Sequence, residues 1–332
     1  MDSMCAVWIS QSGGPEVLQI REVVKPQPGL QEVLIKVRAS ALNRADLLQR
    51  QGKYPAPAGF SQEIPGLEFA GEIAETGTAV RMWKPGQRVF GLLGGAAHAD
   101  YVVTHERMVA AVPGNLTWEE AAAVPEAFIT AHDALWIQAA LRPAETVLIH
   151  SVGSGVGLAA TQLARAIGAV PFGTSRTPEK IAQAKQFGLE DGSLVRESFD
   201  DLLAQAEKWT AGRGINVVID LAGGPYVKAS QKLMALKGRM VLVGTVAGGN
   251  YELDSRFVMG KRLQIRGTVL RSRTLEEKIQ VTQCFAAEVV PLIEKGMVRP
   301  AIDSSFRMAD ISKAHQRLES NQTFGKVVIT MD

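Results

Sequence analysis

The stretch Ser151-Val152-Gly153-Ser154-Gly155-Val156-Gly157 follows an apolar run and precedes an amphipathic one. Glycines there let backbone amides approach a diphosphate, and the following helix start adds unpaired N–H donors and a partial positive charge. The string reads G-x-G-x-G, short of the full dinucleotide fingerprint, so its place between strand and helix carries the reading. A glycine turn that only lets a helix pack close is the structural alternative. The next strand ends Gly173-Thr174-Ser175-Arg176 with no carboxylate. A carboxylate there would bind a ribose 2′-hydroxyl, whereas hydroxyls and a guanidinium donate to a 2′-phosphate. NADPH is therefore expected over NADH, with Thr174, Ser175 and Arg176 as contacts. His150 precedes the turn, and packing beneath it is expected rather than proton transfer. Two cysteines, Cys5 and Cys284, and five scattered histidines supply no zinc-ligand spacing, so no metal site is expected.

These residues need elements to hold them. Val147 to His150 reads as a strand, and Val156, Ala159, Ala160, Leu163, Ala164 and Ile167 share one helical face that Gly168 stops. A second strand runs from Ala169 to Thr174, with Pro171 as an irregularity. Thr177-Pro178 supplies an N-cap and first-turn proline for a helix closing at Gly188. Strands at Val217–Asp220, Met240–Gly244 and Leu263–Val269 continue the alternation, which implies a parallel sheet covered by helices. Before Thr117 the chain reads differently, as short strands (Val33–Val37, Gly71–Ala74, Arg88–Gly91, Tyr101–Val103) broken by Pro/Gly turns. Thr117-Trp118-Glu119-Glu120 has capping-box form. Lys326–Thr330 is a closing strand. The fold class expected is α/β: a β-rich domain from both chain ends, with a doubly wound domain inserted.

Length and charge bound the function. At about 150 residues per domain, 332 residues suggest two domains. Lys plus Arg number 36 and Asp plus Glu 34, a net charge of +2 without like-charge runs, which argues against nucleic acid. No apolar stretch reaches membrane-span length and no secretory leader is recognisable, so a cytoplasmic protein is expected.

With Ala41-Leu42-Asn43-Arg44-Ala45-Asp46-Leu47-Leu48-Gln49-Arg50-Gln51-Gly52-x-Tyr54, Pro65-Gly66-Leu67-Glu68-Phe69-Ala70-Gly71, Val124 to Ala131, Leu270-Arg271-Ser272-Arg273 and Gly325-Lys326-Val327-Val328, the chain resembles, nearly end to end, the zinc-free quinone oxidoreductases. These are zeta-crystallin-like members of the medium-chain dehydrogenase/reductase superfamily. The resemblance implies a GroES-like β-rich catalytic domain, 1–123 and 271–332, and a Rossmann NADPH-binding domain, 124–270. Zinc-dependent members of the superfamily carry Cys and His where this chain has Asn43 and Leu67, neither a strong zinc ligand.

Without a Lewis acid, hydride transfer to an electron-poor acceptor is the easier chemistry. The resemblance implies Asn43 and Tyr54 near nicotinamide and acceptor, with Tyr54 a donor to the developing oxyanion. It adds Thr130, Lys180, Ala222, Gly244, Thr245, Val246, Leu270, Arg271 and Asn321 as cofactor contacts. Relatives place a Tyr where Val195 stands, and Arg196 alongside could compensate electrostatically. The activity implied is NADPH-dependent quinone reduction, with reduction of α,β-unsaturated carbonyls as the alternative and a non-catalytic nucleotide-binding protein as a third. A homodimer is expected through edge strands, and the usual start of such chains falls at Met4.

Overall fold

The structure is a computed structural model that describes residues 2–196 and 198–331. The chain divides into two compact units, Met1–Ile129 with Leu270–Asp332, and Thr130–Val269.

In the first unit, β1 (Ser3–Ile9) and β2 (Leu18–Val24) form an antiparallel pair. A long strand, β3 (Glu32–Leu42), leads into helix α1 (Arg44–Arg50). Then come β4 (Glu68–Thr76), β5 (Arg88–Leu92), β6 (Tyr101–His105) and β7 (Val109–Ala111). Helix α2 (Trp118–Ala122) starts at the capping box read from sequence, in which Thr117 accepts from the Glu120 amide. The chain passes into the second unit within α3 (Pro125–His132).

The second unit contains β8 (Thr146–Ile149), α4 (Gly155–Ala166), β9 (Val170–Ser175), α5 (Pro178–Lys185), β10 (Asp191–Leu194), α6 (Asp200–Thr210), β11 (Ile215–Asp220), α7 (Pro225–Leu233), β12 (Met234–Leu242), α8 (Ser255–Lys261) and β13 (Gln264–Gly267). Back in the first unit are α9 (Leu275–Glu288), α10 (Val290–Glu294), β14 (Ile302–Arg307), α11 (Ile311–Glu319) and β15 (Lys326–Thr330).

The second unit's sheet runs β10-β9-β8-β11-β12-β13, every pairing parallel. In chain order this is 3-2-1-4-5-6, the dinucleotide-fold arrangement whose strand order reverses beside β8. Pro171 is tolerated in β9 because its carbonyl accepts from Glu190 just before β10 begins, so its missing N–H faces an edge without a ladder. Thr177 stands at the N-cap of α5 but makes no side-chain cap bond; its own amide donates to Ser175 Oγ instead. Leu148, Phe172, Val195, Leu202, Val218, Val227 and Met240 form one of the unit's cores.

In the first unit the sheet path is β14-β15-β3-β4-β5-β7, with β6 also paired to β3. The register Val327 opposite Leu42 sets Lys326 beside Asn43 at the carboxyl end of β3. Val7, Leu42, Leu47, Ile311, Leu318, Val327 and Ile329 pack as a single cluster, so the two chain ends share a core.

Candidate functional site

In the second unit the candidate residues gather at the carboxyl ends of β8, β9 and β10. Ser151 takes a left-handed conformation (φ 56°), and Ser154 caps α4 by accepting from the Gly157 amide at 3.1 Å. Gly155 and Val156 open the helix. A Cβ on Gly157 would lie 2.7 Å from the carbonyl oxygens of Ser151 and Val152, so only glycine closes this turn against the helix. At Gly153 a Cβ would meet the Lys180 stem, 2.9 Å from its Cδ, which places Lys180 across the turn. A glycine turn closed this tightly at Gly157 and running into a capped helix start is of the kind that suits a dinucleotide pyrophosphate.

His150 is fully buried beneath the turn, its Nδ1 3.0 Å from Thr174 Oγ1 and its Nε2 2.9 Å from Ser230 Oγ. Burial lowers its pKa to about 4 against the opposing pull of Asp220, so the ring is neutral near pH 7. It ties β8 to β9 and α7 rather than moving protons. Thr174 is thereby committed to His150. Ser175 Oγ accepts from the Thr177 amide and keeps its own proton to donate. Arg176 is exposed at the end of β9, and Arg196 Nε lies 3.5 Å from the Arg176 carbonyl oxygen. Val195, 2% exposed, belongs to the core and presents nothing to a ligand. Thr130 is buried on α3. Ala222 follows β11, and its carbonyl accepts from Ala247; Gly244, Thr245 and Val246 lie in the loop after β12.

The remaining candidates, Asn43, Tyr54, Leu270, Arg271 and Asn321, belong to the first unit. Asn43 caps the start of α1, and its backbone N–H donates to Asp46 Oδ2 at 2.7 Å. Asp46 is fully buried, takes the Gly66 amide at 2.9 Å and lies 3.8 Å from His98 Nε2. Burial pushes its carboxyl up, but His98 and the Asn43 amide outweigh this and hold it below the usual carboxylate range. The Asn43 side chain donates to Glu68 Oε1 (2.8 Å) and Ala41 O (3.3 Å), while its Oδ1 accepts from Lys326 Nζ at 2.6 Å.

Lys326 was not singled out as functional by sequence reasoning. Its ammonium also donates to Leu42 O at 2.8 Å and pairs with Glu68 Oε1 at 2.6 Å, both side chains almost wholly buried. Glu68 takes the Glu126 amide at 2.7 Å as well. Glu68 and Lys326 lie in the stretches Pro65 to Gly71 and Gly325 to Val328, and the signal that could pair them is a carboxylate beside Leu67 that, without a metal, needs a cation nearby.

Arg271 was expected at the cofactor. Within the first unit its guanidinium donates to Gly94 O (2.7 Å), Gln49 Oε1 (2.5 Å) and Tyr54 O (3.3 Å), with its carbon 4.8 Å from the Tyr54 ring centre. It therefore anchors the Tyr54 loop. Gln62 staples the same loop through both backbone groups of Ala56. Burial raises the Tyr54 pKa against the lowering pull of Arg271, so the phenol stays protonated near neutrality. Leu270 is buried, and Asn321, left-handed at φ 61°, accepts from Arg44. Among the described residues no three His, Cys, Asp or Glu side chains converge as a metal-binding group, and no helix is long and apolar enough to cross a membrane.

Comparison with known proteins places this geometry in context. Residues 29–133 match the alcohol dehydrogenase GroES-like domain family and residues 155–287 the zinc-binding dehydrogenase family. A quinone oxidoreductase of Lama guanicoe is 34% identical over 333 residues, covering 99% of this chain and 98% of the relative. A mycobacterial protein solved in complex with NADPH superimposes with a TM-score of 0.88 at 27% identity, over 98% of this chain and 100% of that one. The CurK enoyl reductase superimposes at 0.86 with 27% identity, over the full length of both chains.

Proposed function

Because this chain belongs to the quinone oxidoreductase family of medium-chain dehydrogenases/reductases, we propose that it reduces small quinones with NADPH and without a metal ion. The observation that carries the reading is the buried ammonium of Lys326. It is saturated by Leu42 O, Asn43 Oδ1 and Glu68 Oε1, beside Asn43, the residue that stands where zinc-dependent relatives carry a Cys ligand. A bound reduced nicotinamide supplies the hydride, and the protein's share is binding, orientation and proton management.

Ser151, Gly153 and the opening amides of α4 at Gly155 and Val156 receive the pyrophosphate, with Ser154 and Gly157 shaping the turn. Ser175, Arg176, Lys180 and Arg196 receive the 2′-phosphate, and the absence of a carboxylate from Gly173 to Arg176 supports NADPH over NADH. Thr130, Ala222, Gly244, Thr245 and Val246 are assigned to the rest of the cofactor, with Leu270 and Asn321 as further contacts. Tyr54, a phenol that burial holds above its ordinary range, donates to the acceptor oxygen that gains charge, and Arg271 fixes its loop. Asn43 borders the acceptor with its amide orientation set by Glu68 and Lys326.

The enoyl reductase likeness favours enones as a second acceptor class. A homodimer fits the free edge of β13 with half-exposed Val269 beside it, and light scattering at about twice 35.7 kDa would support it. The unpaired Cys5 and Cys284 accord with a reducing cytoplasm. A side-by-side panel of 1,4-benzoquinone, 1,2-naphthoquinone and 2-cyclohexenone with NADPH tests the reading. Turnover of the quinones alone supports it, turnover of the enone alone favours the second reading, and no turnover overturns both.

A further inference from the structure

The first unit contains a cavity of about 380 Å³ bordered by Arg271 and by the chain that follows Tyr54, to which the reductase reading assigns no ligand. Its walls are apolar, with Phe60, Leu93, Met108 and Leu275 among them. Arg271, Arg273 and Lys278 also line it, and none of the thirteen lining residues is acidic. Such a lining is unusual, because cations beside apolar walls forgo hydration and need a counter-charge. Arg271 donates only to neutral oxygens, and the carboxylates of Asp46 and Glu126 act on its charge from a distance rather than through a contact. Lys278 is half-buried on α9, and among the described residues its ammonium has neither a hydrogen bond nor an ion pair. Burial and the neighbouring Arg271 charge both push the Lys278 pKa down, as expected of a cation lacking a partner.

We propose that this cavity binds an amphiphilic organic anion: a ring-sized apolar body carrying one carboxylate or sulfonate. The volume falls within the range of small-molecule sites, roughly 300–1,000 Å³. The apolar body lies against Phe60, Leu93 and Met108, and the anionic group pairs with Lys278 at the cationic side, where the hydroxyl of Ser272 is a further donor. The inference goes beyond the reductase reading and does not depend on it, since its test is a binding measurement.

The full chain, saturated with NADPH to fill the nucleotide site, is titrated with 8-anilinonaphthalene-1-sulfonate and with its uncharged counterpart N-phenyl-1-naphthylamine. The expected result is one anionic probe per chain, bound about tenfold more tightly than the neutral one. Lys278→Met weakens the anionic probe about tenfold and leaves the neutral probe within about twofold. Leu275→Trp, at a half-exposed lining position, weakens both. Circular dichroism confirms that each variant keeps its fold. Equal binding of the two probes by the parent, or unchanged anionic binding by Lys278→Met, overturns the proposal.

Discussion

Replacing Lys326 with Met tests the buried cation most sharply. The side chain is 6% exposed and its partner Glu68 0%, so solvent screens little of the interaction. Met fills similar volume but leaves the Glu68 carboxylate with only the Asn43 amide and the Glu126 N–H, at 2.8 and 2.7 Å. It also strips a donor from Leu42 O and Asn43 Oδ1. Breaking a buried pair by removing one partner costs about 3–5 kcal/mol. For a unit of roughly 190 residues that is a fall in Tm of about 6–20 °C. Differential scanning calorimetry reads it, and adding Glu68→Gln to Lys326→Met should recover a large part, because the uncompensated charge is then gone. Quinone turnover should fall with Lys326→Met even below its Tm, since the Asn43 amide is no longer oriented. A single variant within about 1 kcal/mol of the parent, or a double variant no better than the single, refutes the reasoning.

Other outcomes follow from the same geometry. Gly157→Ala drives a Cβ into two carbonyls and should abolish NADPH binding, whereas Gly153→Ala meets only the flexible Lys180 stem and should weaken it a few-fold, as read by NADPH fluorescence titration. Arg176→Ala should raise the NADPH dissociation constant about tenfold and leave that for NADH nearly unchanged. Stability should fall as pH drops from about 6.5 to about 4, because the unfolded chain binds a proton that His150, with its pKa lowered to about 4, refuses. His315, lowered by burial to about 3, adds to the same slope, and urea midpoints from pH 7.5 to 4.5 should show His150→Gln with a shallower decline.

The α/β class and the doubly wound unit inserted between the two chain ends were legible in the sequence, and so were the local signals. The glycine turn, the β8–α4 pairing and the Thr117 capping box depend on neighbours a few residues apart, and each residue type states its own reason. Pro171 inside β9 needed tertiary knowledge, since its tolerance comes from where β10 begins. The Asn43–Lys326 bond joins residues 283 apart, and the Arg271–Gln49 bond residues 222 apart. No periodicity reports such pairings; they follow from β15 returning alongside β3 and from the chain re-entering the first unit at Leu270. The resemblance implies Asn43 near nicotinamide and acceptor, and in the structure both sides of its side-chain amide are engaged within the first unit, by Glu68, Ala41 O and Lys326.

The proposed activity is metal-free reduction of a quinone by a phosphorylated nicotinamide. A stopped-flow single turnover with chelator-treated protein, its zinc content measured in parallel, and stoichiometric NADPH and 1,4-benzoquinone tests it directly. The expected result is one NADPH consumed per quinone reduced, at a rate unchanged by added zinc. Turnover that disappears on chelation and returns with zinc would contradict it.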